Sequence, residues 1–374
     1  MSAVCLVAHA GLLWVFIEAT TLASAPLIYI HKNPRSLEAT WKYLLICSVG
    51  IALALFGNLL LSISIPPEGE GTTLSLLFSD LITLAPKMEI KLLKGAFIFL
   101  VVGYGTKMGL APMHTWLPDA HSEAPGFVSS LLSGALLNCA FLGILRFYSV
   151  LLTAGEAQAD FAAGVLKGFG LLSMGLAAVF LCNQKDYKRL LAYSSIEHMG
   201  ILAFAMGIGG LGAFGALYHG VNHSLVKASL FLSAGMILKA YKTKEVAGVK
   251  GMARRIPGTA LLWGAGFFAA TGFPPFGTFF SEFYILREAF SGGKVIGGIF
   301  FLLFLTLAFF GIAATVLPMI QGKGESSPRE EKETFPSLLV PAFFLLLCLT
   351  LGLWLPEPLA DHFTMAASLF GGLK

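Results

Sequence analysis

Residues 258–290 read GTALLWGAGFFAATGFPPFGTFFSEFYILREAF. The run is long and apolar enough for a membrane helix, which needs about 20 residues. It is interrupted in its middle by Thr271-Gly272-Phe273-Pro274-Pro275-Phe276-Gly277. Prolines remove backbone donors, and glycines lower the cost of bending. A helix broken at membrane depth is tolerated only where it is buried in protein or lines water. The stretch therefore reads as a discontinuous membrane helix. A second one lies at 91–126, broken by Gly103, Gly105, Gly109, Pro112, Pro118 and Pro125. Paired interruptions of this kind point to inverted repeats around an ion path.

The rest of the chain agrees with that class. Its 374 residues are 56% hydrophobic and 12% charged, with a mean hydropathy of +0.79. The charge content is about half that of soluble domains, and so much apolar surface has no place in a water-soluble fold of this size. A soluble enzyme, a disordered tail and a nucleic-acid binder are excluded. Candidate spans fall at 3–30, 41–64, 91–110, 126–152, 163–182, 189–208, 211–238, 258–290, 295–319 and 335–356. No period-2 alternation suggests barrel strands. The expected fold is all-α, a polytopic membrane helix bundle of about ten spans forming one transmembrane domain over 1–374. Residues 321–334 (QGKGESSPREEKET) read as a polar, flexible loop.

Cys5, Cys47, Cys139, Cys182 and Cys348 form no CxxC pair and sit in apolar stretches, so they read as small buried hydrophobes. No Fe–S, zinc or haem ligation pattern is present, and no cofactor or metal is expected. The N-terminal stretch lacks a basic n-region and reads as a span rather than a cleavable signal. Loops after the odd-numbered spans hold 15 Lys and Arg (among them Lys32, Arg35, Lys42, Lys185, Lys188, Arg189, Lys323, Arg329 and Lys332), and the alternate loops hold five. The positive-inside rule then places the odd loops in the cytoplasm and both termini on the outer side of the cell membrane.

Charges inside spans are costly, about 2.5–3.5 kcal/mol each on insertion scales, which makes each a functional candidate. Glu18 lies in Trp14-Val15-Phe16-Ile17-Glu18-Ala19, deep in the first span. Lys107 sits at the first helix break. A desolvated lysine gives up its proton unless a carboxylate opposes it, so Lys107 is a candidate relay. His219, His223 and Lys227 recur at i, i+4, i+8 and share one helical face. That polar stripe suggests a wet lining, although an i, i+4 His pair also suits a metal. Glu282 follows the second break, where it reads as a proton exchanger or as a helix N-terminal carboxylate. Glu197 and His198 read as either groups at the mouth of a path or interface residues. Asp119, His121 and Glu123 read as turn-stabilising or surface groups.

The stretch Lys107-Met108-Gly109-Leu110-Ala111-Pro112-Met113-His114-Thr115-Trp116-Leu117-Pro118-Asp119-Ala120-His121-Ser122-Glu123-Ala124-Pro125 resembles the signature of the antiporter-like membrane subunits. These belong to complex I, group-4 membrane-bound hydrogenases and multi-subunit sodium/proton antiporters. Lys185-Asp186-Tyr187-Lys188-Arg189-Leu190-Leu191-Ala192-Tyr193-Ser194-Ser195-Ile196, the His219–Lys227 stripe and Gly272-Phe273-Pro274-Pro275 carry the same resemblance. The runs Glu18-Ala19-Thr20-Thr21-Leu22-Ala23 and Glu38-Ala39-Thr40-Trp41-Lys42-Tyr43 are most similar to hydrogenase-4 component F.

The resemblance implies a fourteen-helix family fold with two inverted five-helix repeats, of which this chain lacks the first four helices. That gap implies a fragment, a natural truncation or a partner chain in their place. Residues 1–152 would then be the remainder of the first repeat, 163–319 the second, and 335–356 a C-terminal span. Glu18, Lys107, Lys227 and Glu282 map onto the family's proton path. Asn138 stands where many relatives carry a lysine, and an amide holds water but carries no proton. The central relay would then use water, His219 or His223. The implied function is a proton-translocating subunit of a membrane-bound redox complex, without redox chemistry of its own. Its implied partners are other membrane subunits, the lipid bilayer and protons or sodium, with no nucleic acid. A sodium/proton antiporter subunit and a structural scaffold without transport are the alternatives.

Overall fold

The structure is a computed structural model that describes residues 1–66, 75–322 and 333–371. Among the described residues it is almost wholly helical, with two isolated β-bridges and no strand. Eight helices are long and apolar enough to cross a membrane. They are α1 (Ala10–Ile28), α2 (Pro34–Ser64), α5 (Gly126–Ala154), α6 (Glu156–Leu181), α7 (Tyr187–Ile208), α8 (Gly210–Tyr241), α11 (Val295–Gln321) and α12 (Phe335–Leu353). The two interrupted spans complete the expected ten. One is α3 (Ile90–Met108) followed by α4 (Trp116–Glu123), and the other is α9 (Pro257–Ala270) followed by α10 (Gly277–Ser291).

Several boundaries differ from the sequence reading. The span expected at 3–30 begins only at Ala10, after a short helix at Ser2–Leu6. The chain leaves the helix there because residues 8–10 bond across to 76–78: Phe78 N–H donates to the Ala8 carbonyl and Ala10 N–H to that of Leu76. His9 then caps α1, its Nδ1 accepting from Gly11 N–H at 3.1 Å. Helix α2 starts at Pro34, seven residues earlier than expected, behind a capping box between Asn33 and Ser36. Glu89 caps α3, and the Leu92 and Lys91 amides hold its carboxyl below the usual range. A final helix, α13 (Glu357–Ser368), follows Pro356 and packs against α8. Its charged, half-apolar sequence is too short and polar for a span, so the hydropathy reading passed over it.

Helix α7 occupies the centre, flanked by α6 and α8, and is buried on nearly all sides. In the other half, α2 and α3 lie close together. A Cβ on Gly103 would fall 2.6 Å from the Gly50 carbonyl oxygen and from Ala54, so glycine sets that approach.

The first break is fully accounted for. Gly109 takes a left-handed φ of 86°. Gly109 N–H bonds to the Thr106 carbonyl and Leu110 N–H to the Gly105 carbonyl, which is the Schellman pattern. Trp116 Nε1 also donates to the Thr106 carbonyl, at 2.8 Å, and Ala111 N–H donates to Ser173 Oγ at 2.9 Å. At the second break, Gly272 has φ 61°, Phe273 N–H bonds to the Phe268 carbonyl, and Thr278 Oγ1 donates to the Ala269 carbonyl. Both breaks contain a cis X–Pro bond, at Ala111–Pro112 and Pro274–Pro275. Trp116 is fully buried. Trp116→Phe removes one of the two donors to the Thr106 carbonyl, so we expect a loss of about 0.5–1.5 kcal/mol, read as a lowered thermal midpoint in detergent.

Three of the basic loops meet at one end of the bundle. Lys42 pairs with Asp119 at 3.0 Å, Arg189 pairs with the same carboxylate, and Lys244 pairs with Glu123 at 2.7 Å. Asp119 and Glu123 sit on α4, not in the turn, and tie that helix to three basic residues of other segments. Lys188 corrects its sequence reading as a loop charge, because it is buried and not a surface charge. Its Nζ donates to the carbonyls of Ser122 and Ala124. Cys5 and Cys182 are exposed and the other three cysteines buried, so the expectation of five buried thiols fails at two positions. Lys323, Arg329, Lys332 and most of the polar loop lie outside the described residues. Glu333 at its end is anchored, accepting from the Gly258 and Thr259 amides at 2.9 and 2.6 Å.

Candidate functional site

The charged residues singled out in the sequence gather into two groups. The first surrounds Lys107, the next-to-last residue of α3, whose side chain is buried. Its Nζ donates to Thr21 Oγ1 at 2.7 Å and Tyr43 OH at 2.6 Å, and lies 4.5 Å from the centre of the Tyr43 ring. The ring face adds a cation–π attraction. Thr21 in turn donates to Glu18 Oε2 at 3.0 Å, and Ser48 donates to Glu18 Oε1 at 3.1 Å. Glu18 and Lys107 therefore meet through a hydroxyl and form no direct ion pair. Helix geometry explains the bridge: Thr21 lies three residues after Glu18 on α1, and residues at that spacing are neighbours on one face. Tyr43 OH donates to Ser24 Oγ at 2.6 Å, and Ser24 donates to the Thr20 carbonyl. The donors and acceptors then run in one consistent direction from Lys107 outward. Glu18 is half-buried, while Thr21 and Tyr43 are fully enclosed.

The second group lies where α7, α8 and α10 converge. Lys227 is fully buried, its Nζ donating to Ser194 Oγ at 2.6 Å and the Leu191 carbonyl at 3.4 Å. Two turns back on the same face, His219 Nε2 lies 2.8 Å from His198 Nδ1, and His219 Nδ1 lies 2.8 Å from Ser281 Oγ. The Ser281 proton is committed to the Thr278 carbonyl at 2.7 Å. Ser281 Oγ therefore accepts from His219, which puts the His219 proton on Nδ1 and leaves Nε2 as the acceptor for His198. The His223 ring centre lies 4.9 Å from that of His198. Glu282 is buried beside Ser281, and its Oε1 has no hydrogen-bond partner. Gly272 makes room for it, because a Cβ there would run into the Glu282 carboxylate.

Asn138 stands two residues past a π-helical turn at Leu132–Leu136. Its Nδ2 is occupied by Ser224 Oγ at 2.7 Å and the Gly134 and Gly220 carbonyls, while Oδ1 is buried and unpartnered. Asn138 thus touches α8, the helix bearing the histidines and Lys227. Among the described residues no side-chain hydrogen bond joins the Lys107 group to the histidine group.

Reading the sequence missed the hydroxyls Thr21, Tyr43, Ser24, Ser194 and Ser281, which supply most of the contacts. Only their helical spacing from a flagged charge could have marked them. Glu197 and His198 are buried, at 3% and 1% exposure, and belong to the second group, not to an interface. His121 is likewise no surface residue: it is buried and stacked on Phe231, with ring centres 4.6 Å apart.

Two discontinuous helices, and two buried lysines each with a carboxylate in its group, define a multi-pass helical membrane protein that keeps ionisable groups inside its spans. A family profile described as "NADH:quinone oxidoreductase/Mrp antiporter, TM" matches residues 9–315. The chain is 41% identical over 359 residues to the hydrogenase-4 component F homolog of Methylacidiphilum infernorum, covering 94% of this chain and 73% of that protein. The fold matches a chain of an archaeal membrane-bound sulfane sulfur reductase with a TM-score of 0.88 at 22% identity, covering 99% of this chain and 73% of that one. A chain of the Mrp complex from Dietzia sp. DQ12-45-1b matches with a TM-score of 0.85 at 19% identity, covering 98% and 75%. The chain belongs to the NADH:quinone oxidoreductase/Mrp antiporter family of membrane subunits.

Proposed function

We propose that this chain is a proton-translocating, antiporter-like subunit of a membrane-bound redox complex of the hydrogenase-4 or NADH:quinone oxidoreductase type. The carrying observation is that Lys107 and Lys227 are both enclosed, and both are held by hydroxyl and carbonyl oxygens in place of a carboxylate. Burial disfavours the charged form of such a lysine, and a nearby carboxylate favours it. Its proton affinity therefore follows small movements of its neighbours. Glu18, one hydroxyl away from Lys107, is the lever in the first group. Glu197, one turn after Ser194, is the lever in the second. The relative named as a hydrogenase-4 component F homolog supports the choice of complex.

In this reading a partner subunit undergoes the redox step and its rearrangement displaces Glu18 relative to Lys107. Protons then pass by water across the stretch beside Asn138 to His223, His219, Lys227 and Glu282. Residues 1–152 and 163–319 act as two inverted repeats, a division supported by one helix break in each. The protein sits in the cell membrane with its basic loops in the cytoplasm and both termini outside.

The test uses the parent complex in sealed vesicles, with redox turnover and lumen acidification followed separately. Glu18→Gln and Lys227→Gln should leave the complex assembled and stop acidification. Full acidification by both variants would reject the path. Acidification driven by a sodium gradient without redox substrate would favour an antiporter instead.

A further inference from the structure

We infer that His198, His219 and Glu282 form a binding site for one zinc-class divalent cation. One donor atom of each residue lies within 4.8 Å of the other two, and all three side chains are buried. In four-coordinate zinc, ligand atoms sit about 3.3 Å apart, from metal–ligand distances near 2.0–2.2 Å. The three donors come from three different helices, α7, α8 and α10, so a modest convergence of rigid elements closes the site.

Three further observations point to a ligand. Glu282 Oε1 is enclosed without a partner, which is costly for a carboxylate oxygen unless something binds there. The His219 tautomer is already the one a metal requires. With its Nδ1–H committed to Ser281, Nε2 presents its lone pair inward, the usual outer-sphere support of a ligating histidine. That lone pair now meets the His198 Nδ1–H across 2.8 Å, and a cation takes the place of this hydrogen when the His198 proton moves to its unpartnered Nε2. Two imidazole nitrogens and one carboxylate oxygen suit zinc and not magnesium or calcium, which prefer all-oxygen sets. A fourth position is left for water.

Binding at this site stands independently of the proposed proton path. Its consequence rests on that path: an ion held by His219 and Glu282 occupies two of its stations and arrests it.

The experiment is metal binding by the purified full chain, stripped with a chelator and dialysed against Zn2+ alone. We expect one tightly held Zn2+ per chain, and the strong visible absorption of four-coordinate Co2+ when cobalt replaces it. Glu282→Gln and His198→Gln should each weaken binding by about tenfold or more, the scale seen when metal-site partners are removed. His362→Gln, on exposed α13, should change nothing. Thermal midpoints matching the parent in metal-free buffer establish that the variants are folded, and the cobalt spectrum of the parent needs no variant. Absent cobalt bands, or undiminished zinc binding by both site variants, would overturn the site. If Zn2+ binds but leaves vesicle acidification untouched, the site stands and the assignment of these groups to the path falls.

Discussion

Lys107→Met should abolish proton translocation while leaving the complex assembled and at least as stable. Methionine nearly matches the length of the lysine side chain and removes the charge. A well-packed apolar side chain in place of a buried charge removes that charge's desolvation penalty. The thermal midpoint therefore should not fall, although Thr21 and Tyr43 each lose a donor that they now accept from. Translocation should fall to the level of vesicles lacking the complex, because no neighbour replaces the lysine as a proton carrier. Thr21 and Tyr43 are hydroxyls, and Glu18 is reached only through Thr21. Lys107→Arg separates two roles. A guanidinium supplies the positive charge but does not release its proton in a protein. If Lys107 serves as a fixed charge, arginine preserves activity. If it carries the proton, arginine is as inactive as methionine, which is the outcome we expect. Normal acidification by the methionine variant would remove Lys107 from the mechanism altogether.

The features legible in the sequence are those that oil makes expensive. Glu18, Lys107, Lys227 and Glu282 stood out because a charge in an apolar run needs a reason, and the structure encloses three of them fully. The breaks at Gly109 and Gly272 were legible for a similar reason, since glycine and proline clusters do not occur idly in spans. The hydroxyl network was not legible. Serine and threonine satisfy their own helix carbonyls, as Ser24 does with Thr20, so their presence in a span carries little information. Whether Thr21 faces Lys107 depends on how α1 rotates against α2 and α3, which is a tertiary fact. The same holds for His198. It sits near the middle of a helix that is enclosed on nearly every side, so its partner follows from the crossing of α7 and α8. The early start of α2 and the late start of α1 turn on capping by Asn33 and His9, which hydropathy does not register.

Gly170→Ala and Gly168→Ala should have opposite effects, although the two glycines lie two residues apart on α6. Alanine is favoured over glycine inside a helix by about 1 kcal/mol. At Gly168 an added Cβ meets no atom within 4 Å. That substitution should raise the thermal midpoint in detergent and leave translocation unchanged. At Gly170 the same Cβ would fall 2.5 Å from the Phe204 nitrogen and 2.8 Å from the Gly200 carbonyl oxygen. Those are backbone atoms of α7 and cannot swing aside, so α6 must retreat from it. Overpacking of this kind costs about 1–3 kcal/mol and exceeds the gain in helix propensity. The α6–α7 contact is extensive, and α7 bears Ser194, Glu197 and His198. A shift at Gly170 therefore alters the donor geometry around Lys227 as well as the stability. We expect Gly170→Ala to lower both the midpoint and the rate of acidification. Equal midpoints for the two variants would show that α6 and α7 are not held by backbone contact, and that the placing of the second charged group depends on other helices.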